Sequence, residues 1–425
     1  MVVWIINPYG NIPGEGWRDY RSTLIARALA KSGHKVVWWV SNFEHRSKKF
    51  RSLSWEDIQV NSNFLIRIVP STPYSSHISL SRIRYERTFA RRMCERASES
   101  LPPDVIILAE PAIFISPAII KLIRCWKTKL VVDILDLWPE LFQITLPVVL
   151  SGLGKLIFFP LYMRRAALFR RADAIVGATK DYLQVALSIV DKRISEVVYL
   201  GVDVRGIQDD MQLLSGNPFT EGLGELSKSS QEIWTIYAGT LGNNYDIKTI
   251  ILAAELLVHQ NPLVKILVAG DGPLKAGVLA AIKGKNAKNL IYVGALSAQQ
   301  LTYLYGFCDI ALSTYVAGST VSMPLKAYDY IAAGLPIINS LNRELGDIIR
   351  DKDIGLQYIS EDPVSLVGAI QKLAENLKMR KSMSANAKRL ALSFNESDQH
   401  KKFVDVVEAV VTIGSKNSSL KTQYS

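Results

Sequence analysis

Several stretches of this sequence hold residues of the kind that handles phosphates and hydroxyls. At 237–242 the chain reads YAGTLG: an apolar run ends at Ala238, and Gly239, Thr240 and Gly242 follow. Glycines placed after a strand let the chain turn with its N–H groups facing outward, and such a loop can cradle a diphosphate. VAGDGPLK (268–275) repeats the pattern, with Gly270, Asp271, Gly272 and Pro273 forming a tight turn after another apolar run. A third glycine-rich loop, NPYGNIPGEGWR (7–18), offers Gly14 and Gly16 as points of close approach, with Arg18 or Arg21 positioned to meet an anion. Glu110, Asp133, Asp136 and Glu140 stand at or just after the carboxyl ends of expected strands, where open α/β sheets place their ligands. One of these carboxylates is expected to take a proton from a hydroxyl.

Other chemistries are disfavoured. The five histidines and three cysteines are scattered and show neither metal-ligand spacing nor a disulfide framework, which fits a reducing, cytoplasmic compartment. Asp351-Lys352-Asp353 is a D-x-D string, but it falls in an expected loop between strands, away from the glycine loops, and reads as chance. No GxGxxG follows the first strand, so a nicotinamide-binding half is not expected.

These loops need a scaffold, and the hydrophobic pattern supplies one. Apolar runs at 2–7, 35–41, 64–70, 104–110, 129–136, 172–179 and 196–201 read as strands. Helices are expected over 20–32, 82–98 and 116–127 between them. Continuous apolar strands separated by helices indicate a parallel sheet covered on both faces. The alternation restarts after 206–232, a stretch rich in Gly, Ser, Asp and Glu that reads as linker or irregular loop. Strands follow at 232–239, 264–272, 289–295, 309–314, 335–340 and 355–360. Helices are expected at 247–258, 274–282, 298–307, 324–333, 364–377, 378–392 and 403–413. The division implied is an amino-terminal α/β domain over 1–205, a second over 206–395, a carboxyl-terminal helix over 396–413 that could pack back on the first domain, and a disordered tail over 414–425.

The net charge of +11 resides entirely in the first part. Residues 1–205 carry 29 Lys and Arg against 18 Asp and Glu, whereas 206–425 carry 21 of each. The first domain is therefore expected to face something anionic. No nucleic-acid module is present in the pattern. The segment Leu141–Met163 is apolar but broken by Pro147, Lys155 and Pro160, and Arg164, Arg165, Arg170 and Arg171 follow it. That combination suits a segment lying on an anionic membrane surface rather than crossing it.

The motifs together resemble those of glycosyltransferase family 4, retaining transferases of the GT-B fold, and most of all the bacterial O-antigen and exopolysaccharide members. The resemblance centres on SMPLKAYDYIAAGLPIINS (322–340), where Asp329, Ala332, Ala333, Gly334 and Pro336 fall in register with the family's second glutamate and the residues after it. Asp329 is by this resemblance the residue that holds the ribose hydroxyls. Pro324, Lys326 and Asp329 follow a P-x-K-x-x-E variant, and Lys326 is read as the cation that meets the diphosphate. The sequence departs from the family at four places: Val321 stands at the first glutamate, Thr240 and Asp246 stand where an arginine and a lysine are common, and Ala109 replaces the histidine of His-Glu-Pro.

The resemblance implies an α/β protein of two facing Rossmann-like domains with an interdomain cleft. The donor, a nucleotide diphosphate sugar, would be bound by Gly14, Gly16, Gly239, Thr240, Gly242, Gly270, Asp271, Gly272, Pro273, Lys326 and Asp329. Glu110, Asp133, Asp136 and Lys326 would be catalytic. Arg18, Arg21, Glu140 and the four arginines from 164 to 171 would face the acceptor or membrane. The activity implied is metal-independent sugar transfer, with retention and without a further cofactor, to a lipid-linked or glycan acceptor at the inner face of the cell membrane. The departures leave two alternatives open, a non-catalytic scaffold and a sugar-nucleotide epimerase.

Overall fold

The computed structural model describes all residues except 17, 18, 20, 77, 78, 145, 147–151, 192, 193, 214–225, 285 and 422–425; for 144, 212, 213 and 413–421 it describes the backbone alone. The chain divides into two compact units, Met1–Leu200 with Gln399–Ser425, and Gly201–Asp398.

The first unit is built on eight strands: β1 (Val2–Ile6), β2 (Lys35–Ser41), β3 (Glu56–Asn61), β4 (Phe64–Val69), β5 (Val105–Glu110), β6 (Lys129–Ile134), β7 (Ala174–Gly177) and β8 (Ile194–Val197). Their order is β3-β4-β2-β1-β5-β6-β7-β8, parallel throughout except for β3 against β4. Side chains alternate across the sheet, as the twofold period of a strand requires. Trp4 and Trp39 enter one buried layer with Phe89 and Phe169, while their neighbours Val3, Ile5 and Trp38 enter the other. That second layer is completed by Phe403, Val404, Val407 and Val410 from the carboxyl-terminal helix.

The second unit carries β9 (Ile233–Ala238), β10 (Val264–Ala269), β11 (Leu290–Gly294), β12 (Ile310–Ser313), β13 (Ile337–Asn339) and β14 (Gly355–Gln357), all parallel, in the order β11-β10-β9-β12-β13-β14. Chain progression reverses between β9 and β12, and in the first unit between β1 and β5. Such reversal points leave a crevice beyond the strand ends, the usual seat of a ligand in an open α/β sheet.

Four local expectations are corrected. The stretch read as linker begins with a helix, Val204–Leu213. The D-x-D string is not in a loop: Asp351 and Lys352 end the helix Glu344–Lys352, and Asp353 caps it in the left-handed conformation. β3 was not expected, because it is an exposed edge strand whose sequence, EDIQVN, is polar at alternate positions. The terminal helix runs from Glu396 to Lys421, through most of the tail read as disordered; 422–425 lie outside the described residues. The Leu141–Met163 region forms short helical pieces, Glu140–Ile144 and Gly154–Ile157, followed by the helix Phe159–Arg171. Pro147 lies outside the described residues. Among the described residues no helix is long and apolar enough to cross a membrane.

Candidate functional site

In the second unit two glycine loops lie against each other at the reversal point. A Cβ on Gly270 would fall 1.8 Å from the Gly239 carbonyl oxygen, and one on Gly272 would fall 2.5 Å from the Leu241 oxygen. Both positions have positive φ, so only glycine allows the two turns to nest this closely. The Gly239 N–H donates to the Ala269 carbonyl (2.9 Å) and the Leu241 N–H to that of Asp271 (2.9 Å), so these two N–H groups serve the nesting rather than an incoming anion. Asp271 also accepts from the Gly272 N–H at 2.8 Å, and its carboxylate lies 3.7 Å from the Lys275 ammonium. Gly242 turns beside Tyr245, and Thr240 is exposed, its carbonyl accepting from the Tyr237 hydroxyl at 2.8 Å.

The helix Leu325–Ala333, capped by Pro324 and stopped by Gly334 in the left-handed conformation, brings Lys326 to the same place. A Cβ on Gly239 would lie 3.0 Å from Lys326 Nζ. The ammonium sits over three aromatic rings, Tyr237 at 3.9 Å, Tyr245 at 4.7 Å and Tyr315 at 5.4 Å from the centroids. It is buried and has no hydrogen-bond partner among the described residues. Burial pushes its pKa down to about 7. Ring faces attract a cation, but they accept no strong hydrogen bond, so the arrangement lacks a counter-ion. Asp329 follows one turn later, on the same side of the helix, half-buried. Asp246, at the position where a lysine is common, is a buried helix cap. It accepts from Thr249 N–H (3.4 Å), Tyr358 hydroxyl (3.1 Å) and Glu361 N–H (2.8 Å).

In the first unit the expected ionic residues are engaged with one another. Arg21 Nε and Nη2 donate to the two oxygens of Asp133 at 2.8 and 2.7 Å, and Nη1 donates to the Val198 carbonyl at 2.6 Å. Both side chains are buried. This bidentate pair holds β6 to the region after β8, so neither residue is presented to an acceptor. Arg165 is likewise buried and donates to both oxygens of Glu140 (2.6 and 2.8 Å) and to the Trp138 carbonyl (2.7 Å). Neither Arg165 nor Glu140 is then a free contact for acceptor or membrane. Glu110 is 1% exposed, with Oε2 accepting from the Ala112 N–H at 2.9 Å. Burial raises its pKa to about 8, which keeps it protonated at neutral pH and out of a solvent-facing role. Asp136 differs: it is half-buried, accepts from the Leu137 N–H at 2.8 Å, and burial raises its pKa. Gly14 and Gly16 have open space around them, whereas the close approach occurs at Gly10, where a Cβ would strike Trp38 at 2.3 Å. Arg18 lies outside the described residues.

The sequence reading missed the tyrosine cage, whose members are far apart in the chain and individually ordinary, although all three lie at or just beyond the ends of β9 and β12. It also missed an apolar groove of about 300 Å3 in the first unit, lined by Phe114, Trp138, Phe142, Phe158 and Leu161. The Arg82 guanidinium stacks on Trp138 at 4.0 Å in its wall. Beside it Leu153, Leu156, Ile157, Phe159 and Met163 are exposed. Arg164 lies 5.4 Å over Phe114, and Arg171 is 3.6 Å from Asp173. Arg170 is exposed.

Residues 222–390 match the family model "Glycosyl transferases group 1". A chitobiosyldiphosphodolichol beta-mannosyltransferase of Eremothecium gossypii is 23% identical over 63% of this chain and 57% of its own length. The putative glycosyltransferase EpsD of Bacillus subtilis is 23% identical over 44% of this chain and 48% of its own. The chain thus spans about half the length of these curated relatives. Among solved structures, the sucrose-phosphate synthase of Thermosynechococcus elongatus superposes with a TM-score of 0.73 at 14% identity, covering 97% of this chain and 99% of that one. Anabaena HepE in complex with UDP superposes with a TM-score of 0.67 at 12% identity, covering 96% and 99%. Residues 222–390 are thus similar to the group 1 glycosyl transferases, and the chain has the GT-B fold.

Proposed function

We propose that this protein transfers a sugar from a nucleoside diphosphate sugar to a lipid-linked or glycan acceptor, with retention of anomeric configuration and without a metal. One observation carries the reading: the Lys326 ammonium, buried without an anionic partner among the described residues at the reversal point of the second sheet. A diphosphate would supply the missing negative charge, and Asp329 on the same helix would accept from the ribose hydroxyls. As the anomeric bond breaks, charge grows on the departing diphosphate, and a preorganised, desolvated cation stabilises that state more than the ground state. HepE was solved with UDP and with UDP-glucose, which supports this donor chemistry.

The first unit would hold the acceptor. Asp136 is the one expected carboxylate there that is neither locked in an ion pair nor fully buried, and its raised pKa suits it to receive the acceptor's hydroxyl proton. A lipid-linked acceptor is supported by the diphosphodolichol in the name of the Eremothecium gossypii relative. The exposed Leu153, Leu156, Ile157, Phe159 and Met163, flanked by Arg164, Arg170 and Arg171, suit the anionic inner face of a cell membrane.

The test is calorimetric titration with UDP, GDP and their sugar conjugates. Wild-type protein is expected to bind one nucleoside diphosphate. Lys326→Ala should weaken it by about 10- to 100-fold, as for a charge-assisted hydrogen bond, with the fold intact. Asp329→Ala should weaken the nucleoside more than the sugar preference. Absence of nucleotide binding in the wild type, or an unchanged affinity in Lys326→Ala, would overturn the reading. NMR of the product reads the anomeric outcome. Flotation with anionic liposomes, lost at high salt, tests the membrane contact.

A further inference from the structure

A second cavity, of about 550 Å3, opens in the second unit beyond the carboxyl ends of β12, β13 and β14. We propose that it seats the transferred sugar and that Arg343 in its wall selects a hexose bearing a carboxylate, a hexuronic acid. The proposal rests on the donor reading above and narrows it.

Tyr315, whose ring is one wall of the Lys326 cage, passes its main chain directly to the cavity: its carbonyl accepts from the hydroxyls of Ser340 (2.9 Å) and Ser360 (2.6 Å), and both serines line the cavity. A group attached to a diphosphate at Lys326 has this space one residue away. The volume is of the size that small-molecule sites have.

The wall chemistry is one-sided. The polar lining consists of hydroxyls such as Ser319, Ser340 and Ser360, the amides of Asn342 and Gln357, and the guanidinium of Arg343; among the described residues no Asp or Glu lines it. Neutral sugars are commonly gripped by carboxylates that accept from their hydroxyls, and nearby Val321 cannot do this. Here the wall holds one cation and no anion. The Arg343 side chain has no ion pair or hydrogen bond among the described residues, while its carbonyl accepts from the Asp347 N–H at 3.1 Å as the helix Glu344–Lys352 begins. The loop that carries it is held firmly. The Leu341 carbonyl accepts from Asn339 Nδ2 at 2.8 Å and Gln357 Nε2 at 2.9 Å, and a Cβ on Gly346 would strike that same carbonyl at 2.5 Å. A planar guanidinium on a fixed loop matches a carboxylate in bidentate fashion.

In the transfer, the acceptor oxygen bonds to the anomeric carbon and the bond from that carbon to the diphosphate oxygen breaks. The electron pair leaves on the diphosphate and the acceptor's proton passes to Asp136. The sugar carboxylate is unchanged, so Arg343 determines specificity and is not catalytic.

The experiment is titration of the full chain with UDP, UDP-glucose and UDP-glucuronic acid, and with GDP, GDP-mannose and GDP-mannuronic acid, for wild type and Arg343→Gln. The hexuronate of the accepted nucleotide is expected to bind about tenfold or more tighter than its matched hexose. Arg343→Gln should erase that difference while binding the bare nucleoside diphosphate as the wild type does. Equal affinity for the two sugars in the wild type overturns the proposal, as does a loss in Arg343→Gln shared by hexose and hexuronate. Glucuronic acid alone binding alongside a saturating nucleotide sugar would show an independent anion site and overturn it too. If no nucleoside diphosphate binds, the donor reading falls and this one falls with it.

Discussion

The strand ends of the two units treat buried charge in opposite ways. In the first, Arg21 meets Asp133 and Arg165 meets Glu140 through paired hydrogen bonds, and Glu110 is buried in its neutral form. In the second, the Lys326 ammonium sits over tyrosine faces with no anion to meet it among the described residues. Both sets lie at or near the carboxyl ends of parallel strands, so position alone does not distinguish a fold-holding charge from a ligand-binding one. What distinguishes them is satisfaction: a paired charge already has its energy minimum within the chain, whereas an unpaired one reaches it only when something binds.

The comparison is most strongly tested by breaking the first unit's pair. Arg21→Ala leaves the Asp133 carboxylate buried alone and is expected to destabilise the protein by about 3–5 kcal/mol, measured by urea denaturation. A loss below about 1 kcal/mol would show that the pair does not hold the fold.

Next in size is the pH response of the second unit. Folding lowers the Lys326 pKa from the ordinary 10.5 to about 7, so between these values the unfolded chain binds more protons and ligand-free stability rises with pH across that window. On the proposed donor reading, diphosphate binding requires the charged form and runs the other way. Affinity should fall by about tenfold per pH unit above 7, apart from ionisation of the ligand itself, and Lys326→Arg should remove the dependence. A flat titration from pH 7 to 9 in the wild type would contradict the unpaired state of the lysine. Lys326→Met should raise the melting temperature of the ligand-free protein near pH 6 by about 2 °C or more, since it removes an uncompensated cation.

The smallest effect sharpens the boundary between the two classes. Glu110→Gln keeps the acceptor for the Ala112 N–H and a neutral side chain, so transfer activity should change by less than about threefold. Because folding raises this pKa from 4.5 to about 8, the wild-type carboxyl loses stability as pH rises from about 4.5 to 8. Glu110→Gln should flatten that slope in thermal melts. A large activity loss with an intact fold would return Glu110 to the catalytic group.

The sequence by itself determined the alternation of strands and helices, because continuous apolar runs and Gly/Pro punctuation are local properties of the chain. It also located the glycine turns at 239 and 270 and the helix bearing Lys326 and Asp329, since helix starts and tight turns have short-range signatures. Partnership was not legible. Arg21 and Asp133 are 112 positions apart, and nothing in either neighbourhood announces their pairing. The three tyrosines that cage Lys326 come from one strand and two loops, and Arg343 meets its cavity only because β12, β13 and β14 lie side by side. Edge strand β3 pairs with β4, and the helix over the expected linker packs on the helices Ala298–Tyr305 and Leu325–Ala333, partners that no local pattern names. Local sequence fixes which backbone forms where. Whether a charge is spent on the fold or left for a ligand depends on distant residues brought within hydrogen-bond reach, and only the tertiary structure decides that.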